Sequence, residues 1–234
     1  MPKAFLNWSS GKDAALALYF ISNENKFEVS ALLTTVNDNE DRVSMHGLRK
    51  VLLRKQAESV GLPLHEIILP KEISMINYTE TLSKAFQSLV ELKFSYAIYG
   101  DIFLEDLRAY RDKNLCNVGL KGIYPLWKKD TAILARQIID LGFKAITVCV
   151  SDKLLGKEFC GITYDHDFLK KLPADVDPCG ERGEFHTFVY DGPNFKFPIP
   201  FKIGDKVKRD LSTSTDSKPN WESVFWYCDL LGNP

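Results

Sequence analysis

The chain has 234 residues, 45% of them hydrophobic and 26% charged, with 30 Lys+Arg against 31 Asp+Glu and a formal net charge of −1. This is the make-up of an ordinary globular protein, long enough for one large domain or two unequal ones. The balanced charge, without a basic run, argues against duplex nucleic acid as a main partner. No apolar run approaches bilayer length, so no membrane association is expected. Met1-Pro2-Lys3 runs straight into a strand, unlike a signal peptide. Cys116, Cys149, Cys160, Cys179 and Cys228 are odd in number and form no C-x-x-C, which speaks against a disulfide framework or a zinc site and fits a reducing cytoplasm.

In chain order, an apolar strand over 4–6 enters the turn Ser9-Ser10-Gly11-Lys12-Asp13, and a small-residue helix follows from Ala14. A strand is expected over 27–36, a helix over 48–60 ending at Gly61, and a strand over 64–69 closed by Pro70. A helix over 78–92, a strand over 96–99 stopped by Gly100, a helix over 104–115 and an extended piece over 123–126 come next. A helix over 131–141 then shows Leu134, Ala135, Ile138 and Leu141 on one face, and a strand covers 145–150. Strands alternating with helices predict an α/β fold, with right-handed βαβ units and a parallel sheet. Ligands of such sheets sit beyond the carboxyl ends of the strands, where the first turn lies.

Past about residue 150 helical periodicity weakens. The segments 185–190 and 195–203 look like paired strands around Asp191-Gly192-Pro193-Asn194. The polar run 212–218 reads as a mobile loop, and 221–231 as a final strand. The expected division is a nucleotide-binding domain over 1–126 and a smaller α+β domain over 127–234, with the Val150–Ser151 junction as the alternative boundary.

Three stretches carry chemistry. Strand, short Ser/Gly/Lys turn, helix is an anion-binding arrangement, because freed N–H groups and roughly +0.5 charge sit at the helix N-terminus. Ser9 and Ser10 offer hydroxyls, Gly11 a close approach and Lys12 a full positive charge. Asp13 would repel a phosphate unless a metal lay between, which points to a nucleotide with a divalent cation. A P-loop would need glycine in place of Leu6 and a hydroxyl in place of Asp13, and no G-x-G-x-x-G is present; an ordinary strand-to-helix turn remains the plainer alternative. Gly100 and Asp101 are expected at the same sheet edge. Arg108 and Arg111 share a helix face and could clamp phosphates or a carboxylate, or simply pair with Glu105 and Asp112. In 177–187, Glu181 and Glu184 could hold Mg²⁺, or bind an ammonium ion and accept its proton, with Arg182 and His186 beside them; the alternative is a turn with solvated charges. His46, in the loop after the second strand, could touch a nucleotide or cap the next helix. Cys179 shows no adjacent base and reads as structural.

Ser9 to Asp13 resembles the loop of the N-type ATP pyrophosphatases. With Gly100-Asp101, Pro125-Leu126-Trp127 and the run Gly-Glu-Arg-Gly-Glu-Phe-His-Thr-Phe-Val-Tyr-Asp-Gly-Pro from Gly180, the chain is similar to the family containing diphthine–ammonia ligase. The resemblance implies a Rossmann-like (HUP-type) parallel sheet with helices on both faces. It also implies ATP cleaved to AMP and pyrophosphate, with Asn7, Trp8, Thr35 and Val36 flanking adenine. Arg182 and His186 stand where the diphthine ligases carry Gly and Glu, so the chain looks like a sister branch.

The expected reaction adenylates a carboxylate and transfers ammonia to it. Ser9, Ser10, Gly11 and Lys12 would hold phosphates, and Asp13 and Asp101 would orient Mg²⁺. Glu181, Glu184 and His186 would face the acceptor, a small molecule or a modified protein side chain. A homodimer stays open. On this reading Lys12→Ala folds normally and loses ATP turnover. A tRNA-thiolating enzyme on the same loop would want a basic surface and a paired catalytic cysteine. A non-catalytic nucleotide-binding module would leave the acidic loop unexplained.

Overall fold

The computed structural model describes residues 1–37, 42–43, 47–70, 74–210 and 224–232. His46 and the segment 212–218 lie outside them.

Two sheets organise the chain. In the first, β4 (Leu64–Leu69), β2 (Glu28–Asn37), β1 (Lys3–Asn7), β5 (Tyr96–Ile98) and β6 (Lys121–Ile123) run parallel in that order. The short β3 (Arg42–Val43) pairs antiparallel with the end of β2. The strands are apolar on both faces because both faces are covered. Phe5, Ala31, Leu33 and Ala97 pack with Phe86, Leu89 and Leu115, which come from α3 (Met75–Glu91) and α4 (Glu105–Cys116). Ala4, Leu6, Leu32 and Val36 pack on the other side, against α1 (Lys12–Glu24) and α2 (Lys50–Val60).

The second sheet is antiparallel, in the order β8 (Phe185–Asp191), β7 (Lys144–Ser151), β10 (Val224–Gly232), β9 (Phe201–Asp210). The chain passes between sheets from Ile123 to Lys144, through α5 (Thr131–Asp140). Ala145, Val148, Val150, Phe188 and Val189 of this sheet join the same core as α1 and α2. Helix α1 is therefore covered from two sides, which accounts for its run of Ala14, Ala15, Leu16, Ala17 and Leu18. At the far end of β10, Asp229 accepts hydrogen bonds from Arg42 and Arg49 and ties the second sheet to the first.

The expected hairpin of 185–190 with 195–203 does not form. β8 pairs with β7, and β9 begins only at Phe201, to pair with β10. Pro198 and Pro200 have no N–H to give a ladder, and 195–200 instead follows a turn in which Phe195 N–H bonds the Gly192 carbonyl. A short helix absent from the sequence reading, α6 (His166–Lys171), starts where the Asp165 carboxylate accepts the Phe168 N–H. The extended piece expected over 123–126 sits earlier, as β6. No helix among the described residues is long and apolar enough to cross a membrane.

Candidate active site

The carboxyl ends of β1, β2 and β5 meet the loop before β8 in one continuous cleft. Two cavities of about 490 and 470 Å³ make it up, and Asn7, Ser9, Leu107 and Arg111 line both. The first is bounded by Trp8, Thr35 and the rings of Tyr78, Phe86, Tyr99 and Tyr110. The second is bounded by Gly11, Lys12, Asp13, Gly100 and Asp101 on one side and by Glu181, Arg182, Phe185, His186 and Thr187 on the other.

The β1–α1 turn is braced from elsewhere. Helix α1 has Gly11 at its N-cap and no side chain of its own capping it. The first helical N–H, from Lys12, goes to Thr187 Oγ1 on β8 at 3.1 Å. Ser10 adopts the left-handed backbone, φ 72°, and its carbonyl accepts the Val189 N–H and one proton of the Gln56 amide, both at 3.0 Å. Gln56, buried on α2, also donates to the Val189 carbonyl at 2.6 Å and accepts the Trp8 indole N–H at 3.0 Å. Gly100 is required by proximity: a Cβ there would lie 2.8–2.9 Å from the Asp13 carbonyl and the Ala14 nitrogen.

Lys12 is 2% exposed. Its ammonium lies 2.9 Å from Asp13 Oδ2, donates to the Cys179 carbonyl, and stands 5.5 and 5.2 Å over the rings of Tyr164 and Phe185. Burial pushes this ammonium down most; the acids around it, Asp13 first, together outweigh that, so the lysine stays charged. Asp101 is paired with Arg111 at 2.7 Å, and that guanidinium lies 4.3 Å over Tyr99. Arg108 pairs with Asp112 and stacks over Tyr124 and Trp127. Burial pushes the Asp101 carboxyl up, Arg111 opposes this, and repulsion from Asp13 adds to the rise. Two mutually repelling carboxylates lining one cavity suit a divalent cation brought in by a nucleotide, since two protein ligands alone would not hold one. Among the described residues no group of three or more His, Cys, Asp and Glu could hold a metal.

The loop before β8 holds itself. Asp177 Oδ1 accepts the N–H groups of Cys179 and Glu181. Glu184, 1% exposed, accepts Asp177 N–H on one oxygen and Arg182 N–H on the other. Glu181 reaches across the cleft, where Oε1 accepts the N–H of Ile102 at 2.7 Å and that of Phe103 at 3.3 Å. Burial pushes its carboxyl up to about 7, against the Ile102 N–H and with the Asp13 charge. Cys179 donates its thiol to the Thr131 carbonyl, and burial holds that thiol protonated.

Of the residues expected at the site, Asn7, Trp8, Ser9, Gly11, Lys12, Asp13, Thr35, Gly100, Asp101, Glu181 and His186 line this cleft. Three side chains do not. Ser10 is turned inward by its left-handed backbone and is fully buried, Val36 alternates into the core from Thr35, and Glu184 is spent on its own loop. Gln56, Thr187 and Arg111 carry more of the site than their motifs announced. The signal for Gln56 was a polar residue in the apolar stripe of α2, between Leu53 and Ala57.

Residues 2–122 match the family model described as the diphthamide synthase N-terminal domain, and residues 130–230 match the diphthamide synthase C-terminal domain. The chain is 30% identical over 161 residues to the diphthine–ammonia ligase of Danio rerio, covering 61% of this chain and 62% of that protein. It is 35% identical over 169 residues to that of Mus musculus, covering 64% and 62%. The chain thus spans somewhat less than two thirds of either relative. A U34-tRNA thiolase of Methanococcus maripaludis, solved with its iron–sulfur cluster, superposes over 60% of this chain and 57% of its own at 19% identity and a TM-score of 0.36, a distance at which it bears on neither fold nor chemistry.

Proposed function

The chain belongs to the diphthamide synthase family, and on that premise we propose that it is an ATP-dependent, AMP-forming carbon–nitrogen ligase. The observation that carries the reading is the single cavity in which Lys12 and Asp13 of the turn face Glu181 and His186 of the loop before β8. The aromatic cavity beside it takes the adenosine, and the turn takes the phosphates.

An oxygen of the acceptor carboxylate attacks the α-phosphorus. The bond to the bridging oxygen breaks, and pyrophosphate leaves with its electron pair. Ammonia then attacks the acyl carbon and gives up a proton, and AMP leaves with the electrons of the C–O bond. The chain's part is positioning and charge. Lys12, kept charged by Asp13, opposes the charge that builds on the departing pyrophosphate. Asp13 and Asp101 are the carboxylates that would hold Mg²⁺, which would neutralise phosphate charge. Glu181, with its carboxyl at about 7, suits taking the proton that nitrogen loses. Glu184 keeps Glu181 and Arg182 in place by fixing their loop. A thiolating enzyme would need a reactive sulfur here, and the buried Cys179 thiol is poorly suited to that.

The test is product analysis. Purified protein with ATP, Mg²⁺, ammonium and candidate carboxylates is expected to release AMP and pyrophosphate in equal amounts, dependent on the carboxylate. ADP as the product overturns the reading, as does calorimetry showing no affinity for ATP.

A further inference from the structure

The acids around the second cavity are mostly committed. Asp13 is paired with Lys12, and Asp101 with Arg111. Glu181 is held on two amides across the cleft, and Glu184 is buried on two amides of its own loop. Arg182 differs from all of these. It is exposed, lines the same cavity, and makes no ion pair among the described residues.

Its position is nevertheless fixed at both ends. The Arg182 N–H donates to Glu184 at 2.9 Å, and the guanidinium lies 5.6 Å from the centre of the Phe103 ring. Open space adjoins it: Gly183 has φ 89°, and a Cβ there would meet nothing within 4 Å. His186 lines the cavity from β8. A cation held in advance at the mouth of a cleft, with room beside it, is an anion receptor that spends little entropy on binding.

We propose that Arg182 selects the acceptor by charge, and that the acceptor of this site is a carboxylate bearing a second negative group close to the one that reacts. The proposal rests on the ligase reading above. Its chemical logic follows from that reaction. Adenylation removes the charge of the reacting carboxylate, and the charge left at that end belongs to the AMP phosphate and departs with it, so an acceptor with a single carboxylate keeps no anion of its own for Arg182. A second anionic group keeps its charge through the adenylate and the amide, and holds the acceptor in place while ammonia arrives. An acceptor carrying a cation at that place is repelled.

The anion that Arg182 meets could also be a phosphate of ATP, and the experiment separates the two. Calorimetry first measures Mg·ATP binding to the wild type, Arg182→Gly, Arg182→Lys and Arg182→Glu. Ligand-observed NMR in the presence of α,β-methylene-ATP then measures binding of glutarate, pentanoate and 5-(trimethylammonio)pentanoate. Wild type is expected to bind glutarate about 10-fold or more tighter than pentanoate, and the trimethylammonium compound weakest. Arg182→Lys keeps that order, Arg182→Glu reverses it, and ATP affinity stays within about 2-fold throughout. Equal binding of all three compounds, or binding of none, overturns the proposal, as does an unchanged order in Arg182→Glu. Loss of ATP affinity in Arg182→Gly with the glutarate preference intact overturns it too, and assigns Arg182 to the phosphates. A wild type that binds no ATP fails the ligase reading itself, and this inference with it, before any carboxylate is added.

Discussion

The β1–α1 turn and the loop before β8 face each other across one cavity and are built in opposite ways. The turn has the tidier sequence, five consecutive residues suited to phosphate, yet it cannot hold its own shape. Its first helical N–H is taken by Thr187, and its Ser10 carbonyl by Val189 and Gln56. The loop before β8 has the less orderly sequence, crowded with charges and glycines, and its amides are held from within by Asp177 and Glu184, while Lys12 and Tyr164 donate to its Cys179 and Pro178 carbonyls. A recognisable motif is thus no measure of structural independence. In a charged loop, some of the charges are the scaffold that aims the others.

The widest break in this contrast is expected from Lys12, which belongs to both regions. Lys12→Met leaves the half-buried Asp13 without its partner and the Cys179 carbonyl without its donor. It is expected to cost about 3–5 kcal/mol in urea unfolding and to abolish AMP formation. The simpler expectation from sequence, a Lys12 variant that folds normally, gives way to this because the side chain is buried among Asp13, Tyr164 and Phe185.

Gln56 tests the turn alone. Gln56→Leu strips the Trp8 indole of its acceptor and the Ser10 and Val189 carbonyls of a donor, at about 2–4 kcal/mol. ATP affinity should fall roughly 10-fold by calorimetry as the turn loosens. Gln56→Glu should be no better, because a carboxylate cannot donate to two carbonyls. Wild-type affinity in both variants would mean that the turn stands by itself.

The smallest effect sharpens the other side. Glu181 has a folded-state carboxyl raised from 4.5 to about 7, so the folded protein binds the extra proton between those values and its stability falls as pH rises through that window. Glu181→Gln keeps the acceptor for Ile102 and removes the titration. Urea midpoints from pH 4 to 8 should therefore slope less in the variant, which should be the more stable protein at pH 8.

What the sequence disclosed divides along the same line. β4 and the end of α2 at Gly61 fall where turn chemistry puts them, and the buried face of α5 carries Leu134, Ala135 and Ile138. These signals are local in the chain. The pairing of β9 with β10 was hidden because the proline-broken stretch before Phe201 looks extended whether or not it has a partner. The site divides similarly. Lys12, Asp13, Gly100 and Glu181 could be named from motifs, but the inward turn of Ser10 and the commitment of Glu184 to its loop follow from hydrogen bonds that no window of residues contains. Arg111 was visible as one of two arginines on a helix face. Asp101, just past the preceding strand, was visible too, but the pairing of the two was not, since Glu105 and Asp112 stand as alternative partners for the arginines on the helix itself.

The hydrogen bond from Lys12 N–H to Thr187 spans 175 residues. On a ribosome adding about 5–20 residues per second, the turn emerges roughly 10–35 s before the residue that caps it. Until then the nascent parallel sheet presents α1 with one side bare and no finished anion site. The apolar side of α1 is what a chaperone would meet during that interval.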